Sequence, residues 1–269
     1  MNIVLQGVTK SFNGRPAPLV ALDPITLDVT TGEFVCFIGP SGCGKSTLLR
    51  LIADQIPATT GDIHLDGGPP SVARKAKQIA WMAQNPALLP WQTVYDNVRL
   101  PQRLNTASNH GERLAPEDLL RTVGLAEFAE AYPSTLSGGM QQRAALARAL
   151  VTGARLWLMD EPFAALDELT RETLADEVLR LWQTFRPTVL WVTHNIAEAA
   201  RLADHVVVMS ARPGRILATV AIAQPRPRDE TAPEIVAVIR RLRAVLREGQ
   251  NTSGSNRTLA ANHVNLRQL

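Results

Sequence analysis

Residues Gly39-Pro-Ser-Gly-Cys-Gly-Lys-Ser-Thr47 stand between the apolar run Phe34–Ile38 and a helical pattern that spans Ser46 to Asp54. A buried strand, a glycine-rich loop and a helix, in this order, form the context in which the pattern G-x-x-x-x-G-K-[ST] has a structural meaning. In such a loop the backbone N–H groups face an anion, and the lysine neutralises phosphate charge. The stretch therefore predicts a phosphate-binding loop rather than a glycine-rich turn with a solvated lysine.

Each residue type in this loop has a predicted part in nucleotide binding. Backbone N–H groups of Gly42 to Ser46 would wrap a β-phosphate, Lys45 would neutralise β- and γ-phosphate charge, and the Ser46 hydroxyl would bind Mg²⁺. Cys43 lies near a helix N-terminus, which tends to lower a thiol pKa, although an inert small residue is the simpler interpretation. The predicted nucleotide-binding residues of the loop are Gly39, Pro40, Ser41, Gly42, Cys43, Gly44, Lys45, Ser46 and Thr47.

Strands and helices alternate through most of the remaining sequence. Strands are predicted at 3–8, 24–29, 79–83, 156–159, 189–193 and 206–209, and helices at about 168–185, 195–203 and 234–247. Residues 85–152 show helical patterns without clear strands, which predicts a helical insertion. The predicted fold class is therefore α/β, with a parallel sheet covered on both faces.

Acidic residues end one of these strands, because Leu156-Trp-Leu-Met is followed directly by Asp160 and Glu161. The carboxyl ends of strands in an open α/β sheet form the ligand crevice. Asp160 is therefore predicted to hold Mg²⁺ through water, and Glu161 to orient or deprotonate an attacking water molecule. Without support from other residues, the two acids could instead cap a helix.

Two further polar residues follow predicted strands and supply that support. His194 comes after the run from Thr188 to Thr193, and we predict that it contacts a γ-phosphate rather than filling a structural position. Gln84 ends the strand at 79–83, where its amide could reach the Mg²⁺ or the water. The predicted catalytic residues are Glu161, His194 and Gln84, and the predicted Mg²⁺ ligands are Ser46, Gln84 and Asp160.

The stretch Leu136-Ser-Gly-Gly-Met-Gln-Gln-Arg143 is the second glycine-containing motif. Ser137 can cap a helix at about 140–151, and the N–H groups of Gly138 and Gly139 would then remain available to an anion. Taken alone, the stretch fits a serine-capped surface helix equally well. Together with a phosphate-binding loop upstream, it predicts a second contact with ATP.

Composition excludes several classes of protein. The chain has 269 residues, 45% hydrophobic and 20% charged, as in an ordinary globular protein, and its net charge of +3 is too small to indicate a nucleic-acid partner. Two cysteines without metal-ligand spacing fit a reducing cytosol. No signal-peptide pattern or run of membrane-spanning length is present in the sequence, so we expect a soluble chain that reaches a membrane through a partner.

Taken together and in this order, the motifs resemble those of the ATP-binding cassette (ABC) ATPases from residue 3 to about 220. The matching positions are Gly39–Thr47, Gln84, Leu136–Gln142, Leu156–Glu161, Ala165–Asp167 and His194. The resemblance implies a P-loop NTPase with a RecA-like core, an antiparallel β-subdomain and an inserted α-helical signature subdomain. The expected ABC ATPase domain, 1–248, consists of the core at 1–85 and 153–225, the helical subdomain at 86–152 and a C-terminal helix extension at 226–248. The polar tail at 249–269 is expected to be disordered.

The resemblance also implies a site shared between two subunits that face head to tail and enclose two ATP molecules. Ser137 and Gly139, with Gly138 between them, would contact the γ-phosphate of nucleotide held by Lys45 of the other subunit. Asp167 would lie in the loop that links the two sites. Phe12 matches the aromatic position that stacks on adenine, although an ordinary strand-end aromatic also fits.

Within this family, the segment 85–98, Glu161–Asp167 and Pro213–Arg215 are similar to the nitrate/sulfonate/taurine importer group, which includes importers of thiamin pyrimidine precursors. In that group the 85–98 segment forms a groove for a coupling helix of the membrane subunit. The resemblance implies an ATP-hydrolysing importer subunit that is cytoplasmic and peripheral on the inner face of the membrane. Its expected partners are a second copy, integral-membrane permease subunits and, indirectly, a solute-binding protein.

Three other classes of ATPase or P-loop enzyme share some of these motifs. A soluble, non-transport ABC ATPase of the repair type carries a long coiled coil between loop and signature, which here are only about 90 residues apart. The translation type carries two cassettes in one chain, and an exporter is usually fused to a membrane domain. A kinase-type enzyme would transfer phosphate to a second substrate, and the Ser137 motif and His194 argue against it.

Overall fold

Two units make up the part of the chain that the structure describes. The structure, a computed structural model, describes residues 1–14, 17–104, 114–252 and 264–265. The first unit is formed by Met1–Ala73 with the described residues from Thr188 onward, and the second by Arg74–Pro187. The predicted helical subdomain at 86–152 belongs to the second unit, which also includes a strand before it and a strand and a helix after it.

Ten strands and eight α-helices lie within these ranges. The strands are β1 (Ile3–Phe12), β2 (Leu19–Val29), β3 (Phe34–Ile38), β4 (Thr60–Leu65), β5 (Ile79–Met82), β6 (Leu156–Asp160), β7 (Thr188–Val192), β8 (His205–Met209), β9 (Ile216–Ala221) and β10 (Val264–Asn265). The helices are α1 (Lys45–Ile52), α2 (Pro70–Lys75), α3 (Val94–Leu104), α4 (Pro116–Thr122), α5 (Gly138–Leu150), α6 (Glu168–Phe185), α7 (Ile196–Leu202) and α8 (Pro233–Thr252). Short 3₁₀ helices occupy Ala126–Phe128 and Pro133–Thr135.

Parallel pairing dominates the central strands of the first unit. β3 pairs in parallel with both β7 and β8, and β9 is antiparallel to β8. Every residue of β3 and β7 is buried, which explains their continuous apolar sequences, because a parallel strand covered on both faces has no solvent side. The prediction of an α/β fold with a parallel sheet is confirmed, and β9 adds an antiparallel edge.

The first unit also contains a second, largely antiparallel sheet. β1 pairs antiparallel with β2 and β4, and β10 runs parallel to β2. The strands expected at 3–8 and 24–29 extend further, to Phe12 and back to Leu19. β4 was not predicted, because its first three residues, Thr60, Gly61 and Asp62, are exposed and leave no alternation of apolar and polar positions.

Helices dominate the second unit, as predicted for 85–152. β5 and β6 form a parallel pair, and α5 packs on α3, α4 and β5. The contact face of α5 includes Ala144, Ala145 and Ala147, all buried, and small side chains allow neighbouring elements to approach closely. No helix in the described ranges is long and apolar enough to cross a membrane.

The C-terminal helix is longer than the sequence predicts. α8 continues to Thr252, past the predicted start of a disordered tail at 249. The helix continues through Gly249, and this glycine packs closely: a Cβ there would lie 2.1 Å from Leu217 Cδ1. Val264 and Asn265 pair with Leu27 and Asp28, and the rest of the predicted tail lies outside the described residues.

Candidate functional site

The loop Gly39–Thr47 in the first unit joins β3 to α1, as the sequence predicts. Gly44 precedes the helix with φ +103°, and a Cβ at this residue would lie 2.6 Å from Leu22 Cδ2 and 2.9 Å from Ala21 O. Only glycine combines this backbone angle with so close an approach of β2. The loop therefore packs against the neighbouring strand through backbone rather than through side chains.

Lys45 is the first residue of α1, at the end of the loop, and is 6% exposed. Its Nζ donates to Gly39 O at 2.7 Å and Pro40 O at 3.1 Å, and it lies 3.6 Å from Cys43 Sγ. A buried ammonium ion at the N-terminus of α1 is a strong attraction for an anion. The arrangement fits a nucleotide phosphate, which would replace the carbonyl partners of Lys45.

Phe12 and His194 are the other two predicted site residues of the first unit. Phe12 ends β1 with 38% of its surface exposed, and Lys10 Nζ lies 5.1 Å from its ring centroid. His194 is exposed between β7 and α7. The Asn195 side chain caps α7 by accepting from the N–H groups of Ala197 at 2.9 Å and Glu198 at 3.2 Å. His194 is therefore held on a tight strand-to-helix turn.

In the second unit, Asp160 and Glu161 occupy the end of β6. Asp160 is the last residue of the strand and is only 3% exposed. Glu161 has a left-handed backbone with φ +50°, an uncommon conformation for a residue with a side chain, and such strained positions cluster at functional sites. Gln84 Nε2 donates to Glu161 Oε2 at 3.0 Å, so the structure brings these two predicted catalytic residues together.

Gln142 is a contact of Glu161 to which sequence reasoning assigned no role. This side chain is 2% exposed, and its Nε2 donates to Glu161 O at 3.2 Å. The same carbonyl accepts from the Ala164 N–H at 3.1 Å. Gln142 belongs to the motif quoted for the family resemblance, but no local pattern in the sequence indicates that it holds a strand end.

Ser137 caps α5, as predicted. Its Oγ accepts from the Met140 N–H at 3.3 Å, and the helix begins at Gly138, slightly earlier than expected. At Gly139 a Cβ would lie 3.0 Å from Ala165 O, so the start of α5 touches the loop that leads to Asp167. The free N–H groups at this end of α5 can bind an anion.

Asp167 caps α6 in turn. Its carboxylate accepts from the Thr170 N–H at 2.9 Å and from the Thr170 hydroxyl at 2.7 Å. These hydrogen bonds to the charged form lower the pKa of the exposed Asp167 carboxyl below its usual value. Asp167 is therefore a structural cap in addition to any role in a shared site.

The segment 85–98 is held by two side chains. Asn97 is fully buried; its Oδ1 accepts from Leu89 N at 2.8 Å and its Nδ2 donates to Leu89 O at 3.1 Å. Arg148 of α5 donates to Ala87 O at 2.9 Å and also to Pro86 O, and burial lowers the pKa of its guanidinium. The beginning of the segment is thus connected directly to the helix that Ser137 caps.

The second unit also contains a cavity of about 420 Å³. Its lining comes from β5, α3, α5 and neighbouring residues: Lys77, Ile79, Ala80, Trp81, Leu100, Pro101, Leu104, Arg148, Ala149 and Thr152. Trp91 of the segment is 70% exposed. A mostly apolar cavity with two cationic residues can accept a helix or loop with a polar edge.

Comparison with known proteins agrees with this geometry. The sequence pattern of the family described as ABC transporter matches residues 22–164. The chain belongs to the ABC transporter family. It is similar to a nitrate import ATP-binding protein of Synechococcus elongatus, with 42% identity over 84% of this chain and 82% of that protein. A bicarbonate transport ATP-binding protein of the same species is 41% identical, with the same coverage of 84% and 82%.

The ABC fold is also confirmed by a solved structure. A dimeric ATP-binding cassette in a post-hydrolysis state, bound to ADP and Pi, has a TM-score of 0.74 and 30% identity, and the match covers 83% of this chain and 100% of that one. The predicted P-loop NTPase fold and the resemblance to ABC ATPases are therefore confirmed. The chain is an ABC ATPase, an enzyme that binds and hydrolyses ATP.

Proposed function

We propose that this chain is the ATP-hydrolysing subunit of an ABC importer and energises the uptake of a small solute through a membrane permease. The observation that carries the proposal is the hydrogen bond between Gln84 and Glu161. Gln84 directly precedes the 85–98 segment, so a partner docked on that segment would be one residue away from a contact of the Glu161 carboxylate. Such a connection is what coupling of transport to hydrolysis requires.

Each unit would contribute residues of its own to nucleotide binding. In the first unit the loop Gly39–Thr47 wraps the phosphates, Lys45 neutralises their charge, Ser46 offers a hydroxyl to Mg²⁺ and Phe12 stacks on adenine. In the second unit Gln84 and Asp160 are the proposed Mg²⁺ ligands, Asp160 through water. No group of three or more His, Cys, Asp and Glu in the described ranges could hold a metal ion.

Hydrolysis would depend on Glu161 and His194. Glu161 orients or deprotonates the attacking water, with its carboxylate positioned by Gln84 and its backbone by Gln142. His194 contacts the γ-phosphate from the turn that follows β7. Bound Mg²⁺ would stabilise negative charge on the phosphates.

The working unit would be a homodimer. Ser137, Gly138 and Gly139 at the N-terminus of α5 would contact the γ-phosphate of nucleotide bound by the second copy, and Asp167 would lie in the loop that links the two sites. The related cassette bound to ADP and Pi is itself dimeric. ATP binding would close this dimer and hydrolysis would reopen it, which switches the membrane subunits between their two states.

The permease would dock on segment 85–98, where Trp91 is exposed, and on the cavity lined by α3 and α5. The chain would then be cytoplasmic and peripheral on the inner face of the membrane, and a solute-binding protein would act through the permease. The relatives named for nitrate and bicarbonate support a small solute, in the range from nitrate, sulfonate or taurine to pyrimidine precursors. The solute is to be identified from the ligand of the solute-binding protein that accompanies the co-purified permease.

The shared site is tested by Ser137→Arg. The larger side chain should block the γ-phosphate contact of the partner copy, so hydrolysis should fall at least about 100-fold while ATP still binds to the Lys45 loop. Ser134→Arg, three residues upstream on the exposed 3₁₀ turn, is the matched control and should hydrolyse ATP normally. Equilibrium ATP binding and phosphate release are the two measurements.

Two outcomes would contradict parts of the proposal. Normal hydrolysis by Ser137→Arg would remove the signature residues from the shared site. Purification of the full chain from its native membrane without any permease subunit would instead favour the non-transport ABC ATPases, of the repair or translation type.

A further inference from the structure

The turn from Ser210 to Arg215, which joins β8 to β9, packs against the back of the phosphate-binding loop. Ser210 is 2% exposed; its Oγ donates to Pro213 O at 2.9 Å and accepts from the Arg215 N–H at 3.1 Å. The Ser210 N–H donates to Arg215 O at 2.9 Å. The turn is therefore closed by internal hydrogen bonds and has a defined shape of its own.

This turn is joined to β2 and touches the loop backbone. Gly214 N donates to Ala21 O at 3.0 Å, and Asp23 N donates to Gly214 O at 3.0 Å. A Cβ at Gly214 would lie 1.9 Å from Cys43 O. The backbone of the turn thus lies directly against the phosphate-binding loop, with no room for a side chain between them.

The Arg212 side chain connects this turn to the loop. Its Nε and Nη2 donate to Gly42 O at 3.2 Å and 3.1 Å. Because a peptide group is planar and trans, the Gly42 carbonyl and the Cys43 N–H point in opposite directions. A guanidinium that holds the carbonyl on the outer side therefore directs the Cys43 N–H to the inner side.

The inner side is where the phosphate would bind. The Cys43 N–H faces Pro40 O at 3.3 Å, and the same carbonyl accepts from Lys45 Nζ at 3.1 Å. Gly42 has φ +74°, and glycine passes between backbone conformations more easily than other residues. If this peptide flipped, the Gly42 carbonyl would face the phosphate in place of the Cys43 N–H group. A carbonyl oxygen repels an anion, so this orientation would weaken phosphate binding.

We propose that Arg212 is a positioning residue for nucleotide binding, which holds the Gly42–Cys43 peptide with its N–H group directed into the loop. The inference rests on the proposed function of Gly39–Thr47 as the ATP-binding loop and adds a residue about 170 positions away in the sequence. Arg212 touches no phosphate in this role and acts through the backbone of Gly42.

The test compares Arg212→Ala, Arg212→Lys and Arg215→Ala in the full chain by ATP and ADP binding and by steady-state hydrolysis. Arg212→Ala should weaken the binding of ATP and of ADP by the same factor, about three- to tenfold. Both nucleotides carry a β-phosphate, and the substitution removes the two hydrogen bonds from the guanidinium to Gly42 O. KM should rise with this factor while kcat stays within about twofold. Arg212→Lys should recover part of the affinity, because an ammonium can still donate to Gly42 O.

Arg215→Ala is the matched control, because it removes the same charge from the same turn and keeps the backbone N–H that binds Ser210. If Arg215→Ala weakens nucleotide binding as much as Arg212→Ala does, the effect comes from the positive charge of the turn in general, and the proposal is overturned. The proposal is also overturned if Arg212→Ala leaves the affinity unchanged or lowers only kcat. Lys45→Ala separates this from the proposed function. If Lys45→Ala binds ATP normally, the loop assignment itself fails; if it loses ATP while Arg212→Ala binds normally, only the role of Arg212 fails.

Discussion

The phosphate-binding loop of the first unit and the surroundings of Glu161 in the second unit hold their functional groups in different ways. In the loop, backbone approaches backbone, as at Gly214 and Cys43, and there is no space for added atoms. Around Glu161, two side-chain amides from distant segments, Gln84 and Gln142, donate to the carboxylate and the carbonyl. The first arrangement should therefore fail when atoms are added, and the second when a side chain loses its polar end.

The largest effect is expected for Glu161→Gln. The amide can still lie beside Gln84 but cannot accept a proton from water, so kcat should fall about 10²- to 10⁴-fold with ATP binding retained. The closed dimer should accumulate with ATP, which size-exclusion chromatography would detect. The control, Glu172→Gln on the exposed side of α6, should behave as the unmodified protein. Near-normal turnover by Glu161→Gln would show that Glu161 does not activate the attacking water.

Gly214→Ala tests the backbone contact in the first unit. The new Cβ would lie 1.9 Å from Cys43 O, so the loop must shift, at a cost of about 1–3 kcal/mol. We expect ATP to bind about tenfold more weakly and the melting temperature to fall by at least about 3 °C.

Gly68→Ala provides the control for this substitution. A Cβ at Gly68 would lie 3.7 Å from Leu65 O, an ordinary contact, and both ATP affinity and melting temperature should stay close to those of the unmodified protein. Normal ATP affinity in Gly214→Ala would show that the loop does not depend on this close approach.

Gln142→Leu tests the side-chain contact in the second unit. The apolar side chain keeps most of the volume but leaves Glu161 O without one of its donors, which is expected to lower kcat about tenfold, equivalent to about 1.4 kcal/mol. ATP affinity should not change, because the recorded hydrogen bond of the Gln142 side chain is to Glu161 O and not to the phosphate-binding loop. Gln141→Leu, which loses bonds to Pro133 O and Leu136 O, should change kcat less than about twofold. Equal losses in both variants would contradict the assigned contact.

The smallest effect is expected for Asp167→Asn, and it depends on pH. The lowered pKa of Asp167 means that its charged form stabilises the folded state above the pKa of the unfolded chain, and that this stabilisation disappears as the pH falls through the folded-state pKa. The unmodified protein should melt about 1 °C above Asp167→Asn at pH 7, and the difference should shrink as the pH falls below the usual aspartate pKa and vanish once Asp167 is protonated in the folded state too. A difference that grows towards low pH would show that the Thr170 contacts do not favour the charged carboxylate.

Sequence reasoning succeeded where structure depends on neighbouring residues. The strand Phe34–Ile38 and the stretch Leu156–Met159 of β6 were predictable because strands buried on both faces are apolar throughout. β4 and β9 were not predicted from the sequence. The first half of β4 is exposed, and the first four of the six residues of β9 are all half-buried. Neither strand shows the alternation that a sheet with one solvent face usually has.

The sequence by itself determined the phosphate-binding loop, the capped signature helix, the α/β class and the resemblance to ABC ATPases, because each of these is written in a short, ordered stretch. Only the tertiary structure decided that Gln142 holds Glu161, 19 residues away, and that Arg212 holds Gly42, 170 residues away. Both contacts join a side-chain donor to a backbone carbonyl. Every residue has a backbone carbonyl, so the sequence does not indicate which carbonyl will accept a given side-chain donor. Only the folded chain brings one particular carbonyl to the donor.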